Sequence, residues 1–414
     1  MNVLTIIDSF KGTITSKRVG EITKEELEKE GHNVDVFPVA DGGDGFCDAI
    51  LDILIAKKIK YKIRKIKVHD PLFRLIESSY LIDLDKKTAY IELAKASGIS
   101  LLKKDELNPF VTSTYGFGEL INDAIKQGIR KVVLGIGGSA TNDAGAGLLE
   151  ALGLKFYNQD EEELSRMNNE QVGLVSHVDD ELLRENIKEI EFIVLSDVTN
   201  PLLGDSGATY VFSPQKGAKT SDLELLENNI INFSTLNKTH INDSGAGAAG
   251  GVGYALLTYL SATVYGGIDY ILDLVDYDNL IKNYDVVITG EGKIDSQSLG
   301  GKVVFRISNR SENKKVIVVC AINELPNIDL KLYNVDEIYS VVSGDVSVND
   351  SMNHPEECFR KMIKEIKIWV VGANNSFYFI GNYYLITKDK LRKNDYNLVL
   401  FCVWCYCKKD SGVL

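Results

Sequence analysis

An α/β protein of two units, one of them discontinuous in the chain, is the fold this sequence predicts, and three observations predict it. Strand-like and helix-like runs alternate at the start of the chain and again near its end. The middle breaks that rhythm with runs that pair better as antiparallel or mixed strands. Strand after strand ends in glycine, carboxylate or lysine, which is where open α/β sheets hold ligands.

The elements follow in order. "NVLTII" is a short apolar run of the kind a buried strand shows, and "SKRVGEITKEELEKEG" continues with helical spacing to a stop at Gly31. "NVDVFPVA" reads as the second strand and "GFCDAILDILIA" as the second helix. Such alternation points to a parallel sheet. From residue 61 to 93 the pattern changes: "YKIRKIKV" alternates apolar and basic residues, as an exposed strand does, and "ESSYLIDLDKKTAYIELA" reads as two strands joined at "DLDKK". "TSTYGFGELINDAIKQG" is a capped helix that leads to the strand "VVLG". Alternation returns with the strands "YDVVITG", "KKVIVVCA" and "VDEIYSVVSG" and the helices "VVFRISNRSE" and "PEECFRKMIKEIK". One sheet then uses the first two strands and the last three. We place one domain at 1–70 and 283–367, an inserted α/β domain at 71–282, and an atypical C-terminal tail at 368–414.

Composition narrows the function. The chain has 414 residues, about right for two large domains, and a net charge of -13. A nucleic-acid binder needs a basic field, so no such partner is expected. No run reaches the roughly 18 apolar residues of a membrane span. The opening "MNVLTIIDSFKG" meets Asp8 before a secretory apolar stretch could form. The six cysteines make no disulfide framework, so a cytoplasmic setting is expected. Ten of the 36 aromatics fall in the last 49 residues, so the tail breaks with the composition upstream. Its "CVWC" is a single pair without a second pair or a nearby histidine, a weak metal signal. The tail is expected to be peripheral.

The strand ends carry the chemistry. The first is followed by "DSFKGT", with Asp8, Ser9 and Lys11, and the second by "ADGGDG", with Asp41, Gly42, Gly43 and Asp44. "VVLG" runs into "IGGSATND", with Gly137, Gly138, Ser139, Thr141 and Asn142. "EFIVL" runs into "SDVTNPLLGDSG", with Asp197, and "DVVITG" into "EGKIDSQSLGGK", with Glu291, Lys293, Asp295 and Lys302. Each alone could be a plain turn, because Asp, Asn and Gly favour turns. Five together read as an active cleft. The Walker pattern GxxxxGK[ST] is absent. GxGxxG occurs at Gly245, Gly247 and Gly250, but only the polar "NKTHINDS" precedes it. Gly135, Gly137 and Ala140 after a strand, with Asp160 and Glu161 about twenty residues on, keep a NAD-dependent oxidoreductase of a small hydroxy acid as the alternative. A non-catalytic ligand-binding protein is a third class. Phosphoryl transfer fits the residue types best: lysine neutralises phosphate, carboxylates hold Mg²⁺ or take a hydroxyl proton, and glycine amides line phosphates. None of the five histidines adjoins a glycine loop, so histidine base chemistry is not expected.

"DSFKGT", "PVADGGDG", "GIGGSATNDAGAG", "DVTNPLLGDSGATYVFSPQKGA", "GAGAAGGVG" and "GEGKIDSQSLGGKV" resemble, in order, the motif series of the bacterial type I glycerate kinase family. The resemblance runs from residue 1 to about 345. It implies ATP-dependent phosphorylation of D-glycerate, usually to 2-phosphoglycerate, with a divalent metal. It also implies a flavodoxin-like domain built from both chain ends, with a second domain inserted. Asp44 stands where the family usually has Glu, and Ser213 where it commonly has Gly. Asp197, Lys11 and Asp295 are expected to be catalytic, with Asp197 the first choice for the base because it ends an apolar strand. Gly137, Gly138, Ser139, Thr141, Asn142, Glu291 and Lys293 are assigned to ATP. Asp8, Ser9, Asp41, Gly42, Gly43 and Lys216 are assigned to the acid, and Asp41 and Asp44 to Mg²⁺. Which glycine loop takes ATP and which takes glycerate stays open at this point.

Overall fold

The computed structural model describes residues 1–368 except residues 11, 38, 40–42, 44, 297, 301–302 and 345, and beyond them only the backbone of Val370–Val371 and Phe377–Tyr378. In chain order the strands are β1 (Asn2–Ile7), β2 (Asn33–Val36), β3 (Tyr61–His69), β4 (Leu75–Asp83), β5 (Thr88–Glu92), β6 (Lys131–Gly135), β7 (Lys155–Tyr157), β8 (Glu163–Leu164), β9 (His177–Asp179), β10 (Glu191–Leu195), β11 (Thr263–Tyr265), β12 (Val286–Ile294), β13 (Lys315–Asn323) and β14 (Glu337–Ser340).

Two sheets carry the architecture. The first is all parallel, in the order β14-β13-β12-β1-β2, so it joins strands from both ends of the chain. The second runs β11-β10-β6-β5-β4-β3, parallel from β11 to β5 and antiparallel from β5 to β3. The alternating basic run "YKIRKIKV" is β3, the outer strand of this second sheet. The boundary expected at residue 70 leaves β3 with the first sheet, but β3 pairs with β4 along its whole length. A small antiparallel sheet, β8-β7-β9, stands apart.

Both main sheets bury both faces, which is why their inner strands are continuous apolar runs rather than alternating ones. The period of two sorts the side chains. In β1, Leu4 and Ile6 enter one core while Val3 and Ile7 enter another. In β6, Val133 enters the first of these while Val132 and Leu134 enter a third. The shared core also holds Ile193 and Leu195 of β10, and the helices Phe46–Ala56 and Gly267–Leu274 fill it. One continuous apolar layer therefore joins the two sheets.

Local deviations matter for the site. The run expected to be a capped helix forms the helix Tyr115–Lys126, but the Thr114 hydroxyl does not cap it. That hydroxyl donates to the Asp143 carboxylate instead, at 2.7 Å. The GxGxxG stretch opens the helix Ala248–Tyr259, in which residues 249–251 turn left-handed. Gly250 sits at φ 71°, and a Cβ there would lie 2.0 Å from the backbone oxygen of Thr141. These glycines let two loops touch rather than cradle a dinucleotide. The tail backbone pairs Val370–Val371 with Phe377–Tyr378 in an antiparallel ladder of its own, separate from the first sheet. "CVWC" lies outside the described residues. No helix among the described residues is long and apolar enough to cross a membrane.

Gly250→Ala is expected to destabilise the protein by on the order of 3 kcal/mol, through backbone strain plus the clash with Thr141. Urea denaturation checks it. A midpoint within error of wild type would mean that the two loops part without cost.

Candidate active site

A cleft of about 1120 Å³ opens beyond the carboxyl ends of β1, β6 and β10, between the two sheets. One wall takes Asp8, Ser9 and residues 12–17 after β1, together with Gly43, Gly45 and Asp48. The other takes residues 136–139 after β6, Leu195 at the end of β10 and residues 196–198 after it, with Lys216, Ala248 and Ala249.

The first wall is built by short-range bonds. Asp8 is 6% exposed, and its amide donates to the Gly290 carbonyl at 2.9 Å, which continues the β1–β12 ladder by one residue. Asp8 Oδ1 accepts the amide of Ser9 at 2.7 Å. Phe10 and Ile14 exchange backbone bonds across a tight turn that uses Gly12 at φ 80°. Ser16 donates to the Ile7 carbonyl at 2.6 Å and accepts from the Val39 amide at 3.0 Å, so it staples the end of β1 to the chain after β2. Lys11, Asp41, Gly42, Asp44 and Lys302 lie outside the described residues.

The second wall depends on two buried charges. Lys216 follows the helix Ala208–Phe212 and is 2% exposed. Its ammonium donates to Ser139 Oγ at 2.8 Å and to the Thr141 carbonyl at 2.6 Å. Burial pushes its pKa down to about 7, while the Asp143 charge works the other way. Among the described residues no carboxylate forms an ion pair with it. Asp143 is wholly buried and fully engaged. It accepts from the Thr114 amide and hydroxyl at 2.8 and 2.7 Å, and from the amides of Gly145 and Gly147 at 3.1 and 3.3 Å. Burial raises its carboxyl above the usual range, and those four donors oppose the rise.

The cleft thus gathers Asp8, Ser9, Gly43, Gly137, Gly138, Ser139, Asp197 and Lys216 from the sequence reading. Thr141 and Asn142 are fully buried and do not line it. Thr141 offers its carbonyl to Lys216, and the Asn142 amide group donates to Thr209 Oγ1 at 3.3 Å, so both build the wall from behind. Glu291, Lys293 and Asp295 fall at the end of β12, outside the lining. Lys293 is paired there with Glu324 at 2.7 Å and with Asp295 at 3.8 Å. Asp143 and Glu92 were not singled out from sequence. Asp143 stood in view within "SATNDAG", but nothing in the pattern separated a structural carboxylate from a functional one.

Comparisons with known proteins show the family. The model of the glycerate kinase family matches residues 3–371. The chain belongs to the glycerate kinase family. It is 34% identical to "Glycerate kinase" of Bacillus subtilis (strain 168), over 91% of this chain and 100% of that protein. It is 34% identical to "Glycerate 2-kinase" of Escherichia coli (strain K12), over 83% of this chain and 91% of that one. A crystal structure assigned to glycerate kinase 2 of Salmonella typhimurium LT2 superimposes with a TM-score of 0.73 at 29% identity, covering 88% of this chain and 96% of that one. A member of this family is an enzyme, a kinase. The oxidoreductase alternative has no support from these relatives, and the geometry opposes it. A dinucleotide fingerprint lays pyrophosphate on the helix N-terminus that follows the glycine loop. Here that helix, Ala146–Ala151, gives its first amides to Asp143.

Asp143→Ala would leave four buried donors without an acceptor. The expected loss is roughly 3–5 kcal/mol of stability, read from denaturant midpoints. A loss below 1 kcal/mol would show that water replaces the carboxylate.

Proposed function

We propose that this chain transfers the γ-phosphoryl group of ATP to a hydroxyl of D-glycerate, giving 2-phosphoglycerate and ADP. Family membership motivates the reaction. The observation that carries it to these residues is Lys216: a buried cation that lines a cleft shared with Asp8 and Asp197 and has no ion-paired carboxylate among the described residues. Such a charge is costly to bury unless something anionic meets it. An acid substrate or a phosphate supplies that anion.

In this reading Asp197, exposed two residues beyond β10, takes the proton from the attacking hydroxyl. The freed oxygen bonds to the γ-phosphorus, the bond to the bridging oxygen breaks, and ADP leaves with that electron pair. Ser139 and the backbone at Gly137 and Gly138 face the phosphates, and Lys216 with Asp8, Ser9 and Gly43 holds the acid. Lys11, Asp41, Gly42 and Asp44 keep the roles given them above as part of the proposal. So do Glu291, Lys293 and Asp295, which stand beyond Gly290, the register partner of Ile7. Thr141 and Asn142 move from nucleotide contact to support of the wall.

The donor set also fits Mg²⁺. That ion needs only one or two carboxylates beside water and phosphate oxygens, and Asp8 and Asp197 bring such oxygens to the cleft, with Asp41 and Asp44 assigned from sequence. When bound it would neutralise phosphate charge. No cluster of three or more His, Cys, Asp or Glu forms among the described residues, so a dedicated all-protein cage is not part of the proposal. The free thiols of Cys47, Cys320 and Cys358 fit a reducing cytoplasm.

Release of ADP that depends on both glycerate and ATP is the direct test. Folded protein that releases none would sink the kinase reading on glycerate. Asp197→Asn should lower kcat by roughly 100-fold or more while KM changes little. Near-normal turnover in that variant would move the base to another group. The third expectation concerns pH. An anion binds the charged form of Lys216, whose pKa in the free protein is about 7. Above that pH binding must take up a proton, so the apparent KM of the acid should rise with pH, by up to about tenfold per unit. Lys216→Met should raise that KM by on the order of tenfold at pH 7 and flatten its pH dependence. A slope that persists in the variant would assign the titration to a different residue.

A further inference from the structure

The helix Phe46–Ala56 of the first sheet starts without a side-chain cap of its own. Its N-cap is Gly45, at φ 86°. An uncapped start leaves amide groups without acceptors. Here the acceptors come from the other sheet. The amides of Gly45 and Cys47 donate to Oε1 and Oε2 of Glu92, at 3.2 and 3.1 Å. Glu92 ends β5 and is only 3% exposed. Two more contacts cross at the same place: the Cys47 thiol to the Tyr90 carbonyl at 3.5 Å, and Lys95 to Asp48 at 3.7 Å.

Glu92 also stands against the second cleft wall. Its register partner in β6 is Gly135, and the amide of the next residue, Leu93, donates to the Gly135 carbonyl at 2.8 Å. Gly135 opens directly into residues 136–139. One residue thus has its backbone beside the loop that carries Ser139 and its carboxylate on the loop that carries Gly43 and Gly45. Both loops line the cleft.

The chemistry of the contact explains why a carboxylate is there. Two amides at a helix N-terminus need two acceptors and favour negative charge. A glutamine would offer one acceptor and turn an NH₂ toward the other amide. We propose that Glu92 is a positioning residue for the phosphoryl transfer, setting Gly43 and Gly45 at a fixed distance from the loop at residues 136–139. The inference rests on the kinase reading for the reaction being positioned. Small displacements of groups that orient reactants are costly to rate, so the effect falls on turnover more than on stability.

The test uses the full chain with Glu92→Gln and Glu92→Ala. Three quantities are followed: ADP release with glycerate and ATP, amide hydrogen exchange over residues 43–48, and the thermal midpoint. Glu92→Ala should lose exchange protection at both Gly45 and Cys47, and Glu92→Gln at one of the two. Turnover should fall about tenfold in Glu92→Ala and less in Glu92→Gln, with both measured well below their midpoints. If Glu92→Ala does not fold, Glu92→Gln decides alone. A lowered midpoint with unchanged kcat and KM would overturn the proposal and leave Glu92 as a stabilising cap. If wild type itself shows no glycerate-dependent ADP release, the kinase reading has failed. ATP binding by calorimetry then decides for Glu92: a weaker Kd in Glu92→Gln upholds positioning, and an unchanged one overturns it.

Discussion

The Asp143 carboxylate is the constraint on which the second half of the cleft depends. A charge buried this deeply is tolerable only if charge-assisted bonds replace its water, and four donors do so. Those donors belong to two helix starts, Tyr115–Lys126 and Ala146–Ala151. Tying both to one point leaves the chain after β6 little freedom. Thr141 is then placed so that its carbonyl meets Lys216 and its backbone packs against Gly250. The lysine that faces the cleft is therefore located by a carboxylate that does not.

A second layer of order comes from the shared core. Each main sheet sends alternate side chains into it, Leu4 and Ile6 from one and Val133, Ile193 and Leu195 from the other. Helices from both parts of the chain fill the space between. Because that layer is apolar and continuous, the carboxyl ends of the two sheets face a common gap. The cleft is a geometric result of how the sheets are glued.

Much of the fold was legible because periodicity is local. The runs that became β1, β6, β10, β12 and β13 are apolar enough to read alone, and the change of rhythm at residue 61 marked the antiparallel edge. The ends of the chain meeting in one sheet was legible as a return of alternation. The site was legible only in part. Glycine and carboxylate after a strand announce a ligand edge, and Asp8, Ser139 and Asp197 do reach the cleft. Thr141 and Asn142 have the same residue character but turn inward, which depends on Gly250 more than a hundred residues later. Lys216 came into view only through the family resemblance, since a lysine after a proline looks like any surface lysine. Glu92 was hidden for a related reason: it accepts from helix-start amides 47 and 45 residues upstream in sequence, across the gap between sheets.

The outer strand β3 carries a consequence for life in concentrated solution. It is nine residues long, and among the described residues one of its sides has no neighbouring strand in the sheet. An outer strand of that length is a template for another chain, and exposed Tyr61 and Ile63 would reward the match. Lys62, Lys65 and Lys67 are exposed along the same strand. A second copy laid against it would set ammonium groups beside ammonium groups, and the repulsion discourages stacking of molecules edge to edge. The alternation that identified the strand in the sequence also works against such pairing.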